Sequence, residues 1–362
     1  MTVISMSRGF DANKLIYLRE MKGCTQQEVA EKTFLSSQYI SQFEHGDRKP
    51  NFQQIMKMAD FFEVDHTFFL NNIVIPQNTG TTFYRKLQKV PKKKYIQAER
   101  QTKWFSMFEQ VISSELGLDY GRLPSFANQR EIVEMLDENY IEDMAKKVRE
   151  RFDLGNGPIS NVTLLIERLG IRVNFQDLSS EHIDALTDQL DNRYYITVNK
   201  VNRPSVRIRF DLAHELGHIL LHSKYSAEKV NNVTNHRFIE AEANYFAGAL
   251  LMPAEGLAMD MISTNMEYLL SLKSHWKVSI AAIIYRGCQI GLITDQQALF
   301  LRQTIARKKW RIKEPYDDEI EIENPTFLNS ALKYKTNDPD KLIRSINTII
   351  GRKNFSNLKL LT

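Results

Sequence analysis

Two histidines four residues apart, His214 and His218, sit in a segment that reads as one helix from about Val206 to His222. Four residues is about one helical turn, so both imidazoles project from one face and can bind a single tetrahedral metal ion. Glu215, between them, points nearby without joining the pair, where it can take a proton from a water that the metal activates. A catalytic zinc also needs a third protein ligand and an open fourth position. The helix must therefore pack against a second element that carries that ligand. This requirement constrains the fold more tightly than any other feature of the chain.

The segment from about Phe238 to Leu251, ahead of Pro253, reads as the next long helix and offers Glu240 and Glu242. These lie roughly 200° apart around a helix, so both cannot be ligands. Glu240 shares a face with Ala243, Asn244 and Ala247, whose small size would let the two helices approach closely, and it is the preferred third ligand. Asn244, one turn on, can orient a ligand histidine from behind. His222 is too close to His218 to be the third histidine of the HExxHxxGxxH pattern, and reads as a supporting residue. The ligand types favour one zinc ion per chain over manganese or iron. The competing reading is a metal-free scaffold in which His214 and His218 are satisfied internally.

The remaining composition is that of an ordinary soluble protein: 43% hydrophobic, 25% charged, net charge +4 over 362 residues. That length fits two or three domains. No apolar run is long enough for a membrane span, and the first residues lack the apolar core of a secretory signal. Cys24 and Cys288 have no second cysteine nearby, which excludes a cysteine-rich zinc site and suits a reducing compartment. The expected location is cytoplasmic.

Punctuation divides the chain into five stretches. Residues 10–72 show short helices, with N-cap candidates at Thr25, Ser36, Asn51 and Asp65 and breaks at Gly23 and Gly46. Thr25 and Glu28 have the spacing of a capping box. Residues 73–152 form a basic helical linker region, in which a long amphipathic helix follows Pro91. Arg85, Lys86, Lys89, Lys92, Lys93, Lys94, Arg100 and Lys103 crowd its first part and are candidates for phosphate contact. Gly155-Asn156-Gly157-Pro158 reads as the main domain boundary. Residues 153–255 hold the zinc motif, with a helix from Val162 to Leu169 and strands at 171–175 and 194–198. Residues 256–323 read as its helical extension, with an acidic cluster at Asp317, Asp318, Glu319, Glu321 and Glu323 taken as solvated surface. Residues 324–362 are a tail.

Residues 13–70, with Thr25-Gln26-Gln27-Glu28-Val29-Ala30 and Ser36-Ser37-Gln38-Tyr39-Ile40-Ser41-Gln42-Phe43-Glu44-His45-Gly46, resemble the Xre/Cro-type helix-turn-helix family. The resemblance implies that the second of these helices enters the major groove of double-stranded DNA. Ile40 and Phe43 would then be core, leaving Ser37, Gln38, Ser41 and Gln42 outward, where glutamine can read adenine bidentately. Gln26, Arg48 and Lys49 are phosphate candidates. Phe34 stands at the turn where relatives commonly carry glycine. A two-fold homodimer on a palindromic operator is the expected mode.

The run Phe210-Asp211-Leu212-Ala213-His214-Glu215-Leu216-Gly217-His218-Ile219-Leu220-Leu221-His222, with 240–247, Leu250-Leu251-Met252-Pro253, Trp276, Ser279 and Arg286, resembles the ImmA/IrrE family of zinc metallo-endopeptidases over roughly 150–300. Asp211 and Ala185 stand where relatives often carry Thr and Gly. The family implies a gluzincin-like His, His, Glu site, with partner repressors that share a helix-turn-helix among known substrates. The expected fold is multi-domain: an all-α helix-turn-helix domain, then an α+β zincin-like (HEXXH) metallopeptidase domain with a helical C-terminal part. The expected function is a transcription regulator that hydrolyses a partner repressor or itself. The alternative is a non-catalytic repressor or antitoxin-like autoregulator with a metal-binding sensory domain.

Overall fold

The N-terminal helices are bounded by the residues that the sequence nominates. The structure, a computed structural model, describes residues 9–71, 74–76, 78–79, 83–84, 91–118, 123–128, 131, 133–178, 183–230, 232–336, 338 and 342. Helices α1 (Ala12–Lys22), α2 (Gln26–Thr33), α3 (Ser37–His45) and α4 (Phe52–Phe62) start on the side chains of Asp11, Thr25, Ser36 and Asn51, each accepting a backbone N–H. Thr25 and Glu28 close the expected capping box, and Asn51 with Gln54 makes a second. Asp65 opens a 3-10 turn (His66–Phe69) rather than a fifth α-helix. Gly23 and Gly46 end α1 and α3 in the left-handed conformation, and exposed Phe34 ends α2 the same way at φ 55°. For a residue with a Cβ that conformation costs about 1–2 kcal/mol. Leu15, Leu18, Val29, Ile40, Phe43, Ile55 and Phe62 fill the core, with Met58 inward where Met56 is only half-buried.

Strand β1 (Phe83–Tyr84) lies in the connection, where the sequence pattern suggests no regular structure. Helix α5 (Lys92–Glu115) follows Pro91 as expected. Its Trp104, Phe105, Phe108 and Ile112 join the N-terminal core, and the Tyr17 hydroxyl donates to the Arg100 carbonyl at 2.8 Å. Of the basic run, Arg100 pairs with Glu20 and buried Lys103 with Glu99, so both serve packing rather than phosphate contact. Lys92 and Lys93 stay exposed, and Arg85, Lys86 and Lys89 lie outside the described residues.

The second half starts earlier than the Gly-Pro turn suggests. Helix α6 (Glu138–Arg151) shares one core with most of the elements that follow it, up to Ile305. The 155–158 turn is therefore internal: Arg149 donates to the Gly155 and Gly157 carbonyls. Next come α7 (Val162–Arg168), β2 (Arg172–Gln176), β3 (Ala185–Leu190), β4 (Arg193–Asn199) and α8 (Ser205–His222). The sheet order is β1-β3-β4-β2, with β2 parallel to β4 and the other pairs antiparallel. Strand β3 escapes the sequence pattern because Ala185-Leu186-Thr187-Asp188-Gln189-Leu190 lacks a β-branched run. Its signal is the Asp191-Asn192 pair, whose positive φ values of 48° and 62° make the two-residue hairpin turn to β4.

After α8 come α9 (Ala227–Val230), α10 (Val233–Leu251), α11 (Ala254–Asp260), α12 (Met266–Trp276), α13 (Ile280–Gln289), α14 (Asp295–Arg307) and α15 (Phe327–Lys335). Leu328 and Leu332 of α15 pack into the α5 core, so the described part of the tail is structural, while 343–362 lie outside the described residues. The acidic cluster is not all solvated surface. Asp317 is buried against Lys273, and Glu323 pairs with buried Arg209 and accepts from Val162 N at 2.7 Å.

Helix α5 covers one sheet face and α8 the other. A buried polar knot pins α5: fully buried Glu109 accepts from Arg172 Nε at 2.9 Å, Ser113 Oγ at 2.7 Å and the Tyr195 hydroxyl at 3.0 Å. Removing one partner of such a pair strands the other charge, at about 3–5 kcal/mol. Glu109→Ala is expected to destabilise by that order, seen as a lowered urea midpoint. An unchanged midpoint would show that the knot does not hold α5 to the sheet.

Candidate metal centre and DNA-reading helix

Helix α8 is apolar on nearly every side and buried along almost its whole length, so any polar group on it must find a partner inside the protein. Its ionisable residues are His214, Glu215, His218 and His222 in the last turns and Arg207, Arg209 and Asp211 before them. Helix α10 packs across it, and Gly217 makes the contact possible. A Cβ at Gly217 would sit 3.1 Å from the Phe246 ring and 3.2 Å from Ala243 Cα. The absent side chain brings α10 close enough for Glu240 to reach the histidines.

Glu240 Oε2 stands 3.5 Å from His214 Nε2, Glu240 Oε1 stands 3.3 Å from His218 Nε2, and the two imidazole nitrogens are 3.0 Å apart. Among the described residues this trio gathers three metal-ligating side chains, with ligand atoms within 4.8 Å of one another. Ligands at zinc distances of ~2.0–2.1 Å in a tetrahedron are roughly 3.4 Å apart, so the donor set and spacing fit the ion. Glu242 points elsewhere. It accepts from Leu136 N at 2.6 Å and meets His222 Nε2 at 2.9 Å.

Each histidine is backed on its far nitrogen. Asn244 Oδ1 lies 3.0 Å from His214 Nδ1, and His222 Nδ1 lies 3.1 Å from His218 Nδ1. Burial pushes His218 and His222 down to about 3, so both are neutral, as a metal ligand must be. Burial alone would raise Glu240, but hydrogen bonds to His214 and His218 hold its carboxylate well below the usual range. Glu215 is 2% exposed and is pushed up to about 7 by burial, against the pull of His214 and Thr187. The Thr187 hydroxyl of β3 donates to Glu215 Oε2 at 2.6 Å. Sequence reasoning passes over Thr187 because its strand carries so weak a pattern.

In the N-terminal domain Ser37 and Gln38 are exposed on α3, and Ser41 is half-buried beside them. Gln42 is also half-buried, with Oε1 inside and without a hydrogen-bond partner. Gln26 is not an idle donor, since its Nε2 bonds Glu44 Oε2 at 2.7 Å, where Arg19 also binds. Arg48 stacks on Tyr39 at 4.3 Å and Lys49 is exposed.

Compared with known families, residues 15–69 match the helix-turn-helix model, and residues 166–287 match the peptidase-family IrrE N-terminal-like domain. A search of curated proteins finds no match to the chain. The chain thus joins a DNA-binding helix-turn-helix domain to a peptidase-like domain, as its motifs imply. No helix among the described residues is long and apolar enough to cross a membrane.

Gly217→Ala tests the helix contact. Overpacking there is expected to cost about 1–3 kcal/mol and to weaken metal retention, measured by thermal unfolding with and without added zinc. Unaltered stability would mean that α10 yields freely and that the close approach is not required.

Proposed function

We propose that this protein is a DNA-binding transcription regulator whose second half is a zinc-dependent endopeptidase, hydrolysing a peptide bond in a partner helix-turn-helix repressor or in itself. The convergence of His214, His218 and Glu240 beside buried Glu215 carries the reading. A zinc ion held by those three residues would supply Lewis-acid activation of water and of the peptide carbonyl. Glu215, with a proton affinity near neutrality, suits a general base that accepts a proton and returns it to the leaving amine. Thr187 orients that carboxylate through its 2.6 Å hydrogen bond. Asn244 and the His222–Glu242 pair fix how His214 and His218 present their Nε2 atoms.

The DNA-reading half of the proposal puts α3 in the major groove of an operator. Gln38, with Ser37, Ser41 and Gln42, would face base edges, and Arg48, Lys49 and Gln26 the phosphates. Two chains on a palindromic site, in the cytoplasm, complete the reading.

Elemental analysis tests the centre first. About one zinc per chain is expected in wild type and in Glu242→Ala, and much less in His214→Ala and Glu240→Ala. No stoichiometric metal from chelator-free preparations would sink the peptidase reading. Glu215→Gln is expected to keep zinc and operator binding while losing peptide hydrolysis, whereas retained hydrolysis would remove Glu215 from its role.

Gln38→Ala combined with Gln42→Ala is expected to weaken specific operator binding, with zinc retained. Loss of a bidentate Gln38–adenine pairing should cost about 1–3 kcal/mol. A binding assay on matched and scrambled DNA checks this, and an unchanged sequence preference would reassign the reading helix.

A further inference from the structure

Next to the candidate metal centre, a cleft of about 460 Å³ lies between α8, α10, α13 and the chain that follows α14. Its volume falls within the ~300–1,000 Å³ of ligand pockets. Phe210, Asp211, Asn244, Tyr285 and Trp310 line it, from four separate stretches of chain. Asn244 is the residue that backs His214 at 3.0 Å, so cleft and metal centre share a wall.

The wall after α14 is anchored from inside. Lys273 of α12, fully buried, donates to Glu314 at 2.8 Å and also to Asp317, while Asp317 Oδ2 accepts from Glu314 N at 2.7 Å. Glu314 takes the Ile280 N–H as well, at 3.0 Å. These two carboxylates line the cleft but are already engaged. Arg207, also at its edge, gives its guanidinium to Asp184 at 2.9 Å. Arg311 stands exposed on the outer rim.

Asp211 is the exception. It is 6% exposed, and its Oδ2 is buried without a hydrogen-bond partner. Arg207, one turn earlier on the same helix face, turns away to Asp184. Asp211 lines the cleft, and a buried carboxylate oxygen without a partner there calls for a donor from outside the fold. Beside it stand the rings of Phe210, Tyr285 and Trp310. Carboxylate and aromatic faces together are the chemistry that holds an organic cation, through a charge-assisted hydrogen bond and cation–π contact. An anion is disfavoured inside the cleft, because three carboxylates line it, Arg207 is occupied and Arg311 lies out on the rim.

We propose that this cleft binds a guanidinium or ammonium head group that donates to Asp211 and packs its stem against Phe210, Tyr285 and Trp310. The head group has two sources, a basic side chain of the peptide substrate or a free small molecule. The first rests on the peptidase reading and the second does not.

The test titrates Nα-acetyl-arginine amide and its neutral citrulline counterpart into zinc-loaded wild type, Asp211→Asn and Tyr285→Ala, followed by calorimetry or NMR. A parallel arm digests a peptide library with wild type and Asp211→Asn. The arginine probe is expected to bind wild type at least tenfold more tightly than the citrulline probe. Asp211→Asn should abolish that preference, and Tyr285→Ala, at a half-exposed position that leaves folding intact, should weaken arginine binding several-fold. Equal binding of the two probes, no binding of either, or a preference that survives both substitutions overturns the proposal. A basic residue enriched at one library position, and no longer enriched with Asp211→Asn, assigns the cleft to the substrate. Probe binding without that enrichment assigns it to a free effector. Cleavage without probe binding rejects the cleft and leaves the peptidase standing, while binding without any cleavage does the reverse.

Discussion

The architecture of the second half depends on one contact, the crossing of α8 and α10 at Gly217. Two buried histidines on an apolar helix are a liability unless something polar meets them, because unpaired buried imidazoles lose the hydrogen bonds that water gave them. The carboxylate that meets them is Glu240, and it arrives only because Gly217, Ala243 and Ala247 remove the side chains that would hold the helices apart. Every later layer follows from this geometry. With Glu240 committed to the histidine pair, Glu242 turns to the other side of α10, where it supports His222 and so the back of His218. One tight crossing thereby sets both the front and the rear of the candidate centre.

The first half is fastened to the second through α5, which belongs to both. Toward the DNA-binding helices it offers Trp104, Phe105 and Phe108, and toward the sheet it offers Glu109, held by Arg172 and Tyr195. Removing charge from water is expensive, so a fully buried ion pair stabilises only when nearly every lone pair is used. Ser113 and Tyr195 supply the extra donors to Glu109. The result is a junction held by buried apolar packing on one side and a buried polar knot on the other. The long amphipathic pattern after Pro91 therefore encodes a shared structural spine.

Legibility followed physical locality. Helix caps, the meeting of Glu240 with His214 and His218, and the contact of Asn244 with His214 were readable because each depends on spacing along one or two helices. Glu240 could be separated from Glu242 by helical-face geometry alone, since the angle around the axis decides which one faces Ala243 and Ala247. What escaped was non-local. Strand β3 has weak intrinsic preference and forms because the Asp191-Asn192 turn returns it onto β4. The engagement of Asp317 and Glu323 depends on Lys273 and Arg209, which are distant along the chain. Likewise, the Gly-Pro stretch at 155–158 has every local mark of a boundary, yet Arg149 captures two of its carbonyls and makes it a packed turn.

Strand β3 shows how the two halves meet at the candidate general base. Side chains alternate across a strand, so neighbouring residues face opposite layers. Leu186 packs with Ala98 of α5, and Leu190 joins the core shared with the DNA-binding helices. Ala185 packs with the α8 core, and Thr187 gives its hydroxyl to Glu215. A slip of one residue would exchange the two faces, burying Thr187 against α5 and pointing Leu186 and Asp188 at α8. The register is held against such a slip on both edges: six residue pairs to β4 on one side, and β1 opposite Leu186 and Thr187 on the other. Because β1 is part of the chain that leads out of the DNA-binding domain, the strand that orients Glu215 is clamped by the segment joining the two halves. The position of the candidate base is therefore a property of the whole sheet, set by pairing that no single helix contains.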